Sequence, residues 1–256
     1  MKRILKVVGA LALVLVLGVV GIFVAVFAGG RPLVEGPLPG APGVTTVKDG
    51  FVGVFVVDVG DGRVVLVDAG NDETGKALKA ELERRKVAPE QVAAVFITHG
   101  HADHTGAISQ FPKAEVIAVQ EEVSVLAGQT PFRSPMGKVA PHSPRTVRVT
   151  RPARDGEVVE IGPLKAEVFH VPGHTPGSAA YLIHGVLFVG DSADSTREGA
   201  LKGAKWVFSD SQEQNREALK ALAKRLAPRA GDVKVIAPSH TGPLAGLEAL
   251  TALAGQ

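Results

Sequence analysis

The chain has 256 residues, no cysteine and a formal net charge of +2. Four cations (Lys2, Arg3, Lys6, Arg31) and one anion (Glu35) fall before residue 44, so the remaining 213 residues carry 24 Lys+Arg against 25 Asp+Glu, a net of −1. A nucleic-acid partner is therefore not suggested. Without cysteine there is no disulfide framework, thiolate ligand, thiol nucleophile or lipid-attachment cysteine, and any metal must be held by His, Asp or Glu. Its absence also fits an oxidising compartment.

Val7–Ala28 is a run of 22 residues without a charge, about 33 Å long as a helix and comparable to a bilayer core. Lys2, Arg3 and Lys6 precede it, so residues 1–30 are expected to form a transmembrane anchor with its N-terminus in the cytoplasm. The catalytic domain would then lie on the extracytoplasmic side. The competing reading is a signal peptide cleaved after Val26-Phe27-Ala28, which would release the domain. Residues 31–43 continue a stretch rich in Gly and Pro, read as a spacer, and residues 44–256 as one catalytic domain.

Within that domain, Phe51–Val59 and Arg63–Val67 flank Gly60-Asp61-Gly62 and predict a hairpin. Leucines 78 and 82 predict a helix over 74–86, and the apolar run 92–98 a strand. A helix over 104–110, a strand over 115–119 and a helix over 121–127 follow, then a Pro/Gly/Ser-rich loop, 128–145, of the kind that forms a lid. Five strands are expected near 146–149, 157–161, 164–170, 178–184 and 186–189. Helices over 212–226 and 244–254 frame a last strand at 233–237, with Leu219, Leu222 and Leu226 at core spacing. Two β-rich halves, each with helices, predict an α/β fold of two face-to-face sheets, a four-layer αββα sandwich.

Seven potential ligands fall at strand ends or in loops: His99, His101, Asp103, His104, His174, Asp191 and His240. His99 and His101 are two apart, so in an extended loop their side chains point the same way and can share an ion. Asp103 and His104 sit where the next helix begins and can face a second position. Imidazoles with two carboxylates suit zinc, iron or manganese better than magnesium or calcium. Two divalent cations carry +4 and two carboxylates return −2. A bridging hydroxide takes the remainder to +1, its water pKa lowered from about 15.7 towards 7. Three histidines and an aspartate within six residues have no role in packing, and a single structural metal needs only four ligands.

The run Thr98-His-Gly-His-Ala-Asp-His-Thr-Gly106 resembles the HxHxDH signature of the metallo-β-lactamase superfamily. Leu66-Val-Asp68-Ala-Gly70 is similar to its first motif, Pro172-Gly-His174-Thr-Pro-Gly-Ser178 to its third, Gly190-Asp191 to its fourth and Ser239-His240 to its fifth, in the family's order across 44–256. The resemblance implies the αββα fold and a binuclear metal-dependent hydrolase. His99, His101 and His174 would hold one ion, Asp103, His104 and His240 the other, and Asp191 would bridge them. A metal-bridging hydroxide would attack a small-molecule ester, lactone, thioester or phosphodiester-type bond, with zinc as the first expectation and iron or manganese as alternatives. Asp103 would orient the hydroxide and pass on its proton, and Asp68 would support the metal loop by hydrogen bonds.

An Asp at 191 resembles the glyoxalase II, lactonase and phosphodiesterase-like branches, whereas the family's β-lactamases usually lack that bridging carboxylate. Sixteen residues follow His240, too few for the helical domain with which glyoxalase II grips glutathione thioesters. The alternatives are a β-lactamase and a persulfide-dioxygenase-like oxidoreductase, which would hold one iron at His99, His174 and Asp191. His142 is a loop histidine, His184 a turn residue before Gly185, and Trp206 and Phe208 are candidates for the pocket mouth or for packing.

Overall fold

A computed structural model describes residues 28–139 and 146–255, with Val16, Gly18 and Gly21. In chain order the elements are β1 (Gly36–Pro37), β2 (Val44–Asp49), β3 (Val52–Asp58), β4 (Val64–Val67), α1 (Lys76–Arg84), β5 (Val92–Phe96), α2 (Ala102–Thr105), β6 (Glu115–Val119), α3 (Val123–Leu126), α4 (Pro135–Val139) and β7 (Arg151–Ala153). The second half contains β8 (Val158–Ile161), β9 (Leu164–His170), β10 (Ala179–Ile183), β11 (Val186–Gly190), β12 (Ala193–Ser195), β13 (Leu201–Gly203), α5 (Gln212–Leu226), β14 (Val235–Pro238), β15 (Leu244–Ala245) and α6 (Glu248–Ala254).

Strands β1 to β7 form one sheet in chain order, antiparallel up to β4 and parallel from β4 onward. The other sheet runs β15-β14-β11-β10-β9-β8, with β11 and β14 its parallel pair. Alternation along the strands sends Phe55, Val57, Val65, Val67 and Phe96 inward against Leu164, Val168, Tyr181 and Phe188 of the facing sheet. The outer face of the first sheet buries Val54, Val56 and Leu66 under Leu78 and Leu82 of α1. Leu219, Leu222 and Leu226 of α5, with Leu250 of α6, cover the second sheet over Phe169, Leu187 and Ile236. These are the four layers of the αββα reading.

Two connections sew the sheets together where β5 ends. Ala179 N–H donates to Thr98 O at 2.8 Å, and Tyr181 Oη to Ile97 O at 2.7 Å. The loop that follows β5 is thus anchored to both sheets.

Several boundaries differ from the sequence reading. The apolar run 7–28 lies outside the described residues except for Val16, Gly18, Gly21 and Ala28; among the described residues no helix is long and apolar enough to cross a membrane. Residues 31–43 are not a free spacer: Gly36 and Pro37 pair with Thr46 and Thr45, and Leu38 and Ala41 are buried. Proline removes backbone donors, but such a stretch packs where its partners are edges, as here on the outer strand of a sheet. The helix expected over 104–110 is the single turn α2 followed by a 3₁₀ turn at Ile108–Gln110. The strand expected at 146–149 forms instead at Arg151–Ala153, where Pro152 is tolerated on a sheet edge. Leu244 and Ala245 extend the second sheet, and Gly246 at φ +66° delays the last helix to Glu248. Within 128–145, α4 is helical, and residues 140–145, including His142, lie outside the described residues.

Candidate metal centre

All seven sequence-selected ligands converge at one end of the sandwich, where β5, β9, β11 and β14 deliver their C-terminal loops. His99 Nε2, His101 Nδ1 and His174 Nε2 form a triangle with edges of 2.9, 3.0 and 3.1 Å. Nitrogen donors about 2.05 Å from one tetrahedral ion would be about 3.3 Å apart, so these three already point at a common centre. Burial holds the pKa of His99 and His174 well below the ordinary value, and the neighbouring histidines push it in the same direction. Both are neutral donors at neutral pH, with the opposite edge anchored: His99 Nδ1 faces Thr98 Oγ1 at 3.1 Å and His174 Nδ1 faces Ser209 Oγ at 3.0 Å.

The second group is Asp103, His104 and His240. His240 Nε2 lies 3.3 Å from Asp103 Oδ2 and 3.1 Å from Asp191 Oδ2; His104 Nε2 lies 3.4 Å from Asp191 Oδ1. Asp191 Oδ2 is also 3.6 Å from His174 Nε2, so its carboxylate stands between the two groups. Gly190 permits that position: its φ is +54°, and a Cβ there would meet Thr98 at 2.7 Å.

Three observations show that this donor set fits metal ions. His104 Nε2 and Asp191 Oδ1 are buried without a hydrogen-bond partner, both facing the centre, and such atoms are costly unless something binds them. The donors are imidazole and carboxylate, the borderline ligands of zinc, iron and manganese. The carboxylates also recruit positive charge. Burial alone would lower His104, yet Asp68, Asp103 and Asp191 raise it to about 9, and Asp191 and Asp103 likewise hold His240 well above its ordinary value.

Asp68 underlies this group. Fully buried, it accepts from Thr98 N–H at 2.8 Å and from Thr98 Oγ1, and its Oδ2 lies 2.7 Å from His104 Nδ1. With Nδ1–H donating to Asp68, His104 presents Nε2 to the centre, the arrangement by which a carboxylate fixes the tautomer of a metal-binding histidine.

Glu122 escapes a reading based on spacing. It is fully buried and accepts Gly100 N–H at 2.6 Å, Gly177 N–H at 2.8 Å and Thr175 Oγ1–H at 2.9 Å. One side chain thus clamps the His99–His101 loop to the loop carrying His174. Beside Glu121 at the start of a helix it reads as solvated, and the sequence holds no sign of its burial. Phe132 packs on the His101 ring, with centroids 4.4 Å apart, and Phe51 stacks on His240 at 5.7 Å. Trp206 and Phe208, in a 3₁₀ turn, line the same pocket, of about 1030 Å³. His184 occupies the β10–β11 turn at φ +51°.

A largely buried seven-donor cluster opening into a cavity on an αββα frame is a candidate metal centre. The family profile described as metallo-beta-lactamase superfamily matches residues 47–240. The chain belongs to that superfamily. Among curated relatives, the hydroxyacylglutathione hydrolase of Shewanella pealeana is 31% identical over 174 residues, covering 67% of this chain and 51% of that protein. The same-named enzyme of Salmonella gallinarum is 30% identical over 162 residues, 62% and 53% of the two chains. The chain thus spans about half the length of these relatives. Among solved structures, a subclass B3 metallo-beta-lactamase of Bradyrhizobium japonicum superposes with a TM-score of 0.65 at 18% identity, covering 89% of this chain and 92% of that one. A metallo-beta-lactamase family protein of Thermus thermophilus gives 0.59 at 23%, covering 85% and 78%. At such identities the likeness is one of fold.

Proposed function

We propose that the chain is a binuclear hydrolase of small-molecule esters, lactones, thioesters or phosphodiesters, with His99, His101 and His174 holding one divalent cation, Asp103, His104 and His240 the other, and Asp191 shared between them. The observation that carries this reading is the pair of converging donor groups joined through Asp191. Zinc is the cation that the donor set suits best. Bound there, two such ions supply a water acidic enough to ionise near neutral pH and a Lewis acid for the substrate oxygen.

The protein's own residues supply the rest. Asp103 lines the pocket, so its carboxylate meets incoming water. Burial works to raise its pKa, but His104 and His240 more than offset this and keep it well below the ordinary range. It is therefore ionised at neutral pH and placed to orient the attacking water by accepting its hydrogen bond, the first step of the proton transfer proposed for it. Phe51 and Phe132 flank the centre on two sides and offer apolar faces to a substrate there. Glu122 and Asp68 keep the ligand loops from relaxing.

Asp191 and the hydroxyacylglutathione hydrolase relatives favour ester-like and thioester bonds over β-lactams. The charge-free run 7–28 behind Lys2, Arg3 and Lys6 supports placement of the domain on the extracytoplasmic side, tethered or released by cleavage. The test is a panel of ester, lactone, thioester, phosphodiester and β-lactam probes on the purified protein. His101→Ala is expected to abolish turnover while leaving the thermal transition cooperative. Unchanged turnover in that variant would refute the site, and one iron per chain with sulfur-dependent oxygen uptake would replace the hydrolase by an oxidoreductase.

A further inference from the structure

Residues 28–33 join the apolar N-terminal run to the domain, and they are built into the wall of the catalytic pocket. The strap is fixed by backbone bonds: Arg31 N–H to Ser195 O at 2.9 Å, Arg197 N–H to Gly29 O at 3.0 Å and Gly242 N–H to Arg31 O at 3.0 Å. Its partner is the hairpin β12–β13, to which Gly30 bridges at Thr196. Strap and hairpin together turn the open end of the sandwich into a cavity.

The walls of that cavity have two chemistries. Leu33, Phe51, Phe132, Met136, Trp206 and Phe208 present apolar surface, and Phe51 and Trp206 remain exposed at 60% and 52%. Arg31, Arg197, Lys202 and Lys205 line it as well. Outside the metal centre the only carboxylate among the described lining residues is Asp194, and it is paired with Lys205. Glu198, on the β12–β13 turn, lies near Arg197 and Lys202 but does not line the pocket. The rim therefore keeps an excess of positive charge over an aromatic and aliphatic wall, although the domain as a whole is slightly acidic.

We infer that the substrate is an anionic amphiphile: an apolar acyl or aryl body against Leu33, Trp206 and Phe208, and a carboxylate or phosphate at Arg31, Arg197 and Lys202. Apolar pockets with a few placed charges select ligands in this way, the body supplying affinity and the charge orientation. This deepens the hydrolase reading and rests on it for the claim that the bound molecule is turned over. The amphiphile can come from solution or from a lipid surface, since the strap continues directly from the apolar run 7–28.

Trp206 is the sole tryptophan of the chain, so intrinsic fluorescence reports this pocket alone. Chelator-treated full-length protein is titrated with 4-phenylbutyrate, 4-phenylbutanol and 4-phenylbutylamine; with no metal present, a carboxylate cannot bind by coordination. The anion is expected to bind at least about tenfold more tightly than the alcohol and the amine least. Arg197→Glu combined with Lys202→Glu, both exposed, is expected to erase the preference. Equal affinities, or a preference that survives the reversal, would overturn the inference. A neutral and an anionic ester of one acyl group, offered to the metal-loaded enzyme in solution and in phosphatidylcholine vesicles, separate the two readings and the two sources. Turnover favouring the anionic ester in either medium supports the inference, and the faster medium identifies the supply. Indiscriminate turnover without a binding preference removes the inference and keeps the hydrolase. A binding preference with neither ester turned over removes the hydrolase and leaves an anion-selective pocket.

Discussion

Asp68→Asn separates the support of the metal centre from its ligands. Asp68 sits at φ +63°, a conformation Asn tolerates and Ala does not without a cost of roughly 1 kcal/mol, so Asn preserves the backbone and nearly the shape. The wild-type carboxylate accepts from Thr98 on one side and from His104 Nδ1 on the other. An amide offers only one accepting atom. If its nitrogen faces His104, Nδ1 must become the acceptor and the proton moves to Nε2, where the cation should bind. If it faces Thr98, two N–H groups oppose each other in a fully buried place. A lost hydrogen bond to a charged group is worth about 1.5–3 kcal/mol, and loss of such support weakens metal sites about 10–100-fold, which is about 1.4–2.7 kcal/mol. Chelator-stripped wild type and variant are titrated with zinc against a competing indicator, so that two constants are read for each. The constant of the site whose filling releases protons, that of Asp103, His104 and His240, should fall by that factor, with the other less affected. Two unchanged constants in a folded variant would refute the argument.

Further outcomes follow from the same contacts. Gly106→Ala would place a Cβ 2.5 Å from Gly70 O and 2.7 Å from Asn71 C, wedging α2 away from the Asp68 loop; a loss of about 1–3 kcal/mol in urea unfolding is expected. Gly231→Ala, with nothing within 4 Å, should stay within about 0.5 kcal/mol. Glu122→Gln should cost about 1–3 kcal/mol at pH 4.5, because its amide leaves a buried donor unmet. Burial raises the Glu122 carboxyl from its ordinary 4.5 to about 7 against the pull of its three donors. The native state thus binds this proton more tightly than the unfolded one, and the advantage of wild type over Glu122→Gln should shrink as pH rises from 4.5 through about 7; a constant difference across that range would contradict it. His104 and His240 are held protonated at neutral pH in the metal-free protein, whereas His99 and His174 are not. Calorimetry in buffers of different ionisation enthalpy should therefore find protons released on filling the second site and few on filling the first.

The convergence of the seven candidate ligands was legible because a polar run so dense in imidazole, 99–104, has no use in a core, and the later motifs placed His174, Asp191 and His240 in order along the chain. Strands such as Leu164–His170 and the helix Gln212–Leu226 were equally plain, since period 2 or period 3.6 persists over several residues. Glu122 was not, because local sequence cannot distinguish a helix-start glutamate that faces water from one buried among three donors. The segment 31–43 misled for the opposite reason: Gly and Pro describe how the chain bends, and only the sheet edge beside it decides whether it packs. The β12–β13 hairpin is too short and too polar to show a period, yet with the strap it shapes the pocket.

The central claim is that two cations act together at one centre. It is tested most directly by adding zinc in substoichiometric steps to the chelator-stripped protein while following hydrolysis of an ester or thioester probe from the panel. Activity is expected to rise chiefly with the second equivalent and to saturate at two per chain. Full activity at one equivalent, or activity indifferent to metal, would contradict the account.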